Sequence, residues 1–334
     1  MKPNSYYTKH KLIGILGIII SIVFLWISFK GTNWNDFILS FQNVNYYFII
    51  AAIVVLIASV WVRAVRWKLL LSNVGTATDV ELYKATMIGY MGNNILPLKM
   101  GELLRAYAIS RNTNIIFSGA FSSIIIERIV DTISLLIIVT VIFTFVPITE
   151  FTQTIAIIGL FTVSGFMLIT FILFRHSYEF KNWYMKKEQH LTEKNKKTLA
   201  KYLVGFCKGI EGLWQNPNPG LMIVLSFLLW ALYFAVILLC IVAFNFDISL
   251  VDMMKMNILV MTFGTLVTLI PSAPGTIGTY QAATIAALQI MNINIDTARA
   301  FAVISHLVQF IPYTIIGLYY FLKLNLHIAD LEDL

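Results

Sequence analysis

Long, almost uninterrupted apolar runs constrain this chain more than any other feature. The runs at 13–27 and 46–62 contain no charged side chain. Only 12% of the 334 residues are charged and 58% are hydrophobic, whereas a soluble domain carries about a quarter charged residues. A large soluble helical protein needs helices with polar faces, and these segments have none. The sequence therefore predicts an all-α, polytopic integral membrane protein.

Six stretches are long and apolar enough to cross a bilayer, which takes about 20 mainly apolar residues. They lie at 12–30, 45–62, 115–146, 152–174, 220–245 and 299–322. Two further apolar regions, 84–111 and 253–291, are interrupted by residues that break helices: Pro97 and Gly101 in the first, and Pro271, Pro274, Gly275 and Gly278 in the second.

The distribution of charge predicts an orientation. The loop at 175–208 carries nine basic and three acidic residues, and by the positive-inside rule it is cytoplasmic. The predicted cytoplasmic loop as a whole extends over 175–218, beyond the charged part counted here. Both termini then lie in the cytoplasm. The predicted location is a cell (inner) membrane of bacterial type. This count of spans is consistent only if each interrupted region enters and leaves on the same side, so each is predicted to be a re-entrant helical hairpin.

The order of elements repeats within what is predicted to be a single transmembrane domain over 1–334. The halves 45–147 and 220–322 each contain a span, a hairpin and a span. The first hairpin opens from the inside and the second from the outside, which predicts an inverted-topology repeat, an architecture of carriers. The segment Leu96-Pro97-x-x-x-Gly101 matches Ile270-Pro271-x-x-x-Gly275. The alternative is that proline and glycine only kink packed helices.

Three charged residues lie in the middle of the predicted span 115–146. Glu127 and Asp131 are four residues apart and share a helix face with Arg128 between them. A charge at the bilayer centre costs at least about 2.5–3.5 kcal/mol, so these groups need partners or water. One interpretation is mutual neutralisation, in which Arg128 pairs with Asp131. The other is a polar cavity that binds a charged lipid headgroup.

Further polar residues lie near the breaks. Lys99, Glu102 and Arg105 surround the first break, where Glu102 and Arg105 can pair on one face, and Lys99 or Arg105 can neutralise Glu127. His306, in the last span, is interpreted mainly as a hydrogen-bonded packing residue. Separately, Arg63, Arg66 and Trp67 end the second span and are predicted to form an interfacial anchor.

Enzyme motifs are missing from the sequence. It contains no H-E-x-x-H, no G-x-S-x-G and no phosphate-binding P-loop. We therefore expect no catalytic residues, no metal and no cofactor. The net charge of +7 is assigned to loops and helix ends that contact anionic lipid, rather than to nucleic acid.

Four ordered motifs carry a family resemblance. They are R-x-x-R-W at Arg63, Arg66 and Trp67, G-x-x-x-N-x-x-x-P-x-x-x-G-E-x-x-R-A from Gly89 to Ala106, E-R-x-x-D from Glu127 to Asp131, and P-x-x-P-G-x-x-G from Pro271 to Gly278. In these motifs the chain resembles the transmembrane region of lysylphosphatidylglycerol synthetases, also called the flippase-like domain. The family usually has Arg where Lys99 stands and often Glu where Gln281 stands.

The resemblance implies movement of a polar-headed lipid between leaflets, or service to a lipid-modifying enzyme. It adds two residues, Asn93 and Gln281, to the expected substrate-binding set. The other members of that set are Lys99, Glu102, Arg105, Glu127, Arg128, Asp131 and His306. The expected partners are membrane lipids. The leading hypothesis is a lipid flippase. The alternative is a membrane scaffold for a lipid- or glycan-modifying enzyme that does not itself transport.

Overall fold

In the part of the chain that its computed structural model describes, the regular elements are all helices. This part comprises residues 19–143, 218–267 and 273–327, with five isolated positions between 164 and 175. The predicted span 152–174 and the basic loop 175–218 lie almost entirely outside the described residues, and Pro271 lies outside them as well.

The helices of the described residues follow one another with short connections. In chain order they are α1 (Ile19–Phe29), α2 (Trp34–Gln42), α3 (Tyr46–Leu70), α4 (Asp79–Ile95), α5 (Gly101–Asn112), α6 (Phe117–Phe143), α7 (Pro219–Ala243), α8 (Leu250–Val267), α9 (Thr279–Ile290) and α10 (Ile295–Lys323). Short 3₁₀ turns at Pro97–Lys99 and Pro274–Thr276 precede α5 and α9. The all-α membrane fold predicted from the sequence is confirmed.

Four helices of the described part are long and apolar enough to cross a membrane: α3, α7, α8 and α10. Helix α6 has 27 residues, but Glu127, Arg128 and Asp131 in its middle keep it out of this group. Helix α3 continues eight residues beyond the predicted end at 62, to Leu70. The charged side chains at that end therefore belong to the helix itself and do not mark its exit into a loop.

The two interruptions share part of their local geometry, although Gly275 and Gly278 of the second are left-handed as well. In each, a proline opens a 3₁₀ turn and the third residue is left-handed: Lys99 has φ 55° and Thr276 has φ 55°. A glycine follows two residues later, Gly101 in the first break and Gly278 in the second, where the next helix begins. In opening a 3₁₀ turn Pro97 resembles Pro274, whereas the sequence-based match of Pro97 with Pro271 and of Gly101 with Gly275 stays a prediction, because Pro271 lies outside the described residues.

Packing divides the chain into two compact units. The first consists of the described residues of Met1–Ser59, Met87–Gly101 and Ala231–Asn325, and the second of those of Val60–Thr86, Glu102–Trp230 and Leu326–Leu334. Each unit takes segments from both predicted repeat halves. The unit boundaries therefore do not follow the division into 45–147 and 220–322, which stays a prediction.

The first unit holds both interruptions. Helix α8 packs on α9, α9 on α10 and α10 on α2, and the two 3₁₀ turns contact each other. Gly101 lies so close to α4 that a Cβ there would overlap the carbonyl oxygen of Gly89 and the backbone nitrogen of Asn93. Gly317 of α10 meets the carbonyl of Met87 in the same way. Only glycine allows the helices to approach this closely.

We expect Gly101→Ala to destabilise the protein by about 1–3 kcal/mol, because the added methyl overpacks a backbone-to-backbone contact. Gly220→Ala is the control, since a Cβ at Gly220 meets, among the described residues, only Asn218 Oδ1, at 3.9 Å. Thermal unfolding in detergent measures both variants. Equal midpoints for the two would contradict the close approach of α4 to Gly101.

Candidate functional site

Seven charged side chains meet inside the second unit, and we call them the ionic cluster. Helices α3, α5 and α6 supply them: Arg63, Arg66, Glu102, Arg105, Glu127, Arg128 and Asp131. Glu127 and Asp131 are one helical turn apart on α6, so one face of that helix presents both carboxylates to the arginines. Five of the seven are the charged residues that the sequence singled out on α5 and α6.

Glu127 is the centre of the ionic cluster and is fully buried, with no exposed surface. Its Oε1 accepts hydrogen bonds from Arg63 Nε at 2.5 Å and Arg105 Nη1 at 3.1 Å, and its Oε2 accepts one from Arg105 Nη2 at 2.9 Å. Arg66 Nη2 lies 3.8 Å away. A carboxylate this deep remains charged only if cations compensate for its lost hydration. Three arginines do so here.

Asp131 extends the ionic cluster by one helical turn. Its Oδ1 accepts a hydrogen bond from Arg66 Nη2 at 2.5 Å, and Arg63 Nη2 donates to its Oδ2. Arg128 Nη1 lies 3.7 Å from the same oxygen. Arg63 therefore bridges Asp131 and Glu127, which Arg66 and Arg105 also contact.

Neutral side chains hold the arginines in place. The Arg105 guanidinium lies 3.9 Å from the centre of the Trp67 ring, a cation–π contact. Trp67 Nε1 in turn donates to Ser123 Oγ at 2.9 Å, which fixes the orientation of the indole. Arg66 Nη1 donates to Ser226 Oγ at 3.2 Å. Helices α3, α5, α6 and α7 are all tied to the ionic cluster in this way.

One edge of the ionic cluster is partly exposed. Arg128 Nη2 lies 2.7 Å from Glu102 Oε1, and these side chains are 40% and 23% exposed. The ionic cluster contains four guanidinium groups and three carboxylates, so its formal charge is +1. An additional anion at this edge would neutralise the whole group.

The structure corrects two sequence-based predictions. Arg63, Arg66 and Trp67 do not form an interfacial anchor, because they are only 3%, 0% and 0% exposed and serve the buried carboxylates of α6. Glu102 does not pair with Arg105 on their shared helix: Glu102 pairs with Arg128, and Arg105 pairs with Glu127. Residue spacing within one helix could not reveal partners that another helix supplies.

A second polar network surrounds the later interruption, inside the first unit. His306 Nε2 lies 2.8 Å from the carbonyl oxygen of Gly275, and its Nδ1 lies 2.9 Å from Gln281 Nε2. Gln281 Oε1 accepts from the Gly278 backbone nitrogen at 2.7 Å. A carbonyl needs a donor, so Nε2 carries the ring proton and Nδ1 accepts from the amide. His306 and Gln281 thus fix the backbone of the break.

The earlier interruption is held by residues that the sequence analysis missed. Asn94 Nδ2 donates to the carbonyl oxygen of Phe310 at 3.1 Å and to Thr314 Oγ1 at 2.9 Å. Neighbouring Asn93 has a buried Oδ1 to which none of the described residues donates a hydrogen bond, and Lys99 is exposed. Asn93, Lys99, Gln281 and His306 belong to the first unit and the ionic cluster to the second. A common binding role for all of them stays a prediction.

No metal centre is formed by the residues described. Within 19–143, 218–267 and 273–327, no group of three or more His, Cys, Asp or Glu side chains is placed to hold an ion. The carboxylates of the ionic cluster are already occupied by arginines.

Comparison with known proteins places these residues in a family context. The family model described as "Lysylphosphatidylglycerol synthase TM region" matches residues 14–317. A UPF0104 membrane protein of Methanocaldococcus jannaschii is 24% identical over 326 residues, covering 90% of this chain and 91% of the relative. A second one from that organism is 23% identical over 236 residues, covering 70% of this chain and 95% of the relative.

A shorter similarity connects the chain to an enzyme. Glycosyltransferase AglD of Haloferax volcanii is 29% identical over 86 residues, which cover 25% of this chain and 14% of the relative. No solved structure matches the chain significantly.

We expect Glu127→Gln to destabilise the protein by about 3–5 kcal/mol, because a neutral amide leaves three buried guanidinium groups short of one negative charge. The control is Asp79→Asn, which breaks the surface pair of Asp79 and Lys68 (2.9 Å, 39% and 48% exposed) and should cost no more than about 1 kcal/mol. Unfolding of purified protein in detergent measures both. Similar losses for the two variants would show that Glu127 is not a buried ionic centre.

Proposed function

We propose, from the premise that the chain belongs to the lysylphosphatidylglycerol synthase TM-region family, that it is a flippase-type transporter. Its substrate would be a membrane lipid with a polar or anionic headgroup, carried from one leaflet to the other. The headgroup would bind at the partly exposed edge of the ionic cluster, and the acyl chains would remain in the bilayer.

The observation that carries this proposal is the ionic cluster itself. Ionisable residues inside membrane proteins are costly and commonly mark the path of a substrate or ion. A pair of buried opposite charges is often no more stable than apolar side chains of the same volume, so stability alone explains seven of them poorly. Guanidinium groups bind phosphate oxygens with two parallel hydrogen bonds. The excess positive charge at an exposed arginine suits such a group.

The two interruptions supply the moving parts in this proposal. Each consists of a proline-led 3₁₀ turn, a left-handed residue and a glycine before the next helix. Broken helices of this kind occur in carriers with inverted repeats, where they form the binding site and one repeat moves against the other around it. We propose that the hairpins open from opposite sides of the membrane, with both termini in the cytoplasm.

A second function is favoured by the similarity to Glycosyltransferase AglD. In this alternative the chain would be the membrane partner of a lipid- or glycan-modifying enzyme and would not transport. Co-purification of such an enzyme, combined with no leaflet exchange in vesicles, would support it. The chain would have no catalytic step of its own in either case.

We expect Arg128→Gln to slow leaflet exchange at least about tenfold, because a charged hydrogen bond to the headgroup is lost. The assay reconstitutes the protein in phosphatidylcholine vesicles and follows a fluorescent phosphatidylglycerol by chemical quenching from outside. Lys68→Gln is the control, since it removes one positive charge from an exposed pair elsewhere in the second unit. Equal exchange by all three proteins would contradict binding at Arg128.

We expect the connections before the two hairpins to lie on opposite sides of the membrane. Single cysteines would replace Ser72, before the first hairpin, and Asp247, before the second; both residues are exposed. Cys207 and Cys240 would first be replaced by alanine. An impermeant maleimide added to intact cells should label the Asp247→Cys variant and label the Ser72→Cys variant only after lysis. Labelling of both in intact cells would exclude the inverted arrangement.

A further inference from the structure

The pairs within the ionic cluster differ sharply in how firmly they are held. Glu127 has no exposed surface and contacts three guanidinium groups. Among the described arginines, Glu102 forms an ion pair with Arg128 alone, with one oxygen, at the partly exposed edge. Breaking a buried pair leaves a charge without compensation, whereas an exposed pair contributes little because water replaces either partner. Glu102 is therefore the carboxylate that leaves its arginine most easily.

Glu102 also has a stable position without Arg128. It is the second residue of α5, where the free backbone N–H groups and the helix dipole favour a negative charge. Rotation of its side chain away from Arg128 consequently leaves the carboxylate in a favourable field and in contact with water. No comparable alternative exists for Glu127, which lies in the interior of α6 among buried side chains.

Arg128 can accept a new anion at the position that Glu102 occupies. Its Nη2 forms an ion pair with Glu102 Oε1 at 2.7 Å, and its Nη1 is 3.7 Å from Asp131 Oδ2, beyond hydrogen-bond distance. Its Nε has no hydrogen-bond partner among the described residues. A guanidinium group offers two parallel donors to one phosphate group, and a carboxylate that contacts one nitrogen uses only part of this capacity.

We propose that Glu102 is an internal competitor for the anion site: its carboxylate occupies Arg128 when the site is empty, and the anionic group of the ligand displaces it. This inference rests on the proposed function, and it adds the residue that sets the strength of ligand binding. Glu102 does not contact the ligand in the bound state. The ligand is an anion of phosphate chemistry, borne by a lipid headgroup or free in solution.

The competition makes the effects of two substitutions opposite in sign. Glu102→Gln removes the competing charge and should tighten anion binding by up to about fivefold, the weight of an exposed ion pair. Arg128→Gln removes the site and should weaken binding at least about tenfold. In the double variant, the loss from Arg128→Gln should remain and the gain from Glu102→Gln should disappear.

The matched control is Asp79→Asn. Asp79, like Glu102, lies in the first turn of a helix and pairs with one basic side chain in the second unit. Its substitution changes the net charge of the protein by the same amount as Glu102→Gln. A general gain in attraction for anions would therefore appear in both variants, whereas relief of competition would appear only in Glu102→Gln.

Calorimetric titration of the full chain in neutral detergent tests the proposal. One arm uses short-chain dihexanoyl phosphatidylglycerol and the other inorganic phosphate at matched ionic strength. Tighter binding by Glu102→Gln than by the parent and Asp79→Asn is expected. Tighter binding of the lipid than of phosphate would identify the lipid headgroup as the source of the anion, and equal binding would identify free phosphate.

The possible failures are distinguishable. If Arg128→Gln weakens binding but Glu102→Gln binds no more tightly than Asp79→Asn, the competition is disproved and the anion site stands. If the parent and Glu102→Gln bind neither anion, the competition and the proposed function are both disproved. Should Glu102→Gln not fold, Glu102→Asp decides the question. It keeps the charge in the first turn of α5 but shortens the reach to Arg128, and it should also tighten binding.

Discussion

The interaction on which the second unit depends is the one between the Glu127 carboxylate and three arginines. Glu127 has no access to water, and Arg63 and Arg105 bond to it directly while Arg66 lies at 3.8 Å. An isolated carboxylate at such a place would be too costly to remain charged. The need to compensate it fixes the positions of α3, α5 and α6, and it explains why α3 remains helical to Leu70, beyond its first basic residue.

Within the ionic cluster, the same interaction distinguishes the firmly held inner arginines from Arg128. The inner arginines are engaged by Glu127 and Asp131 and by their contacts with Trp67 and Ser226. Arg128, which the inner pairs do not occupy, faces the exposed edge. Under the proposed function, the interior of the ionic cluster stays fixed, and the pair of Glu102 and Arg128 is the one that a bound headgroup exchanges.

The sequence predicted the elements better than the contacts between them. Hydrophobic length revealed α3, α7 and α10, and proline and glycine revealed both interruptions. The charges of α6 were singled out because a charge inside an apolar run has few explanations, and the structure places them in contact with arginines of α3 and α5. Arg63 and Arg66 were misassigned because arginine at the end of an apolar run usually marks the membrane surface. Their three-residue spacing was the available signal, but only tertiary contacts could show which helix it faces.

A density map of the protein in nanodiscs containing phosphatidylglycerol would test most directly whether the ionic cluster is a headgroup site. We expect a phosphate within hydrogen-bond distance of the Arg128 guanidinium, with the Glu102 side chain turned away and the pairs around Glu127 unchanged. A map in which Arg128 still contacts Glu102 while the lipid phosphates lie elsewhere in the protein would contradict the proposal.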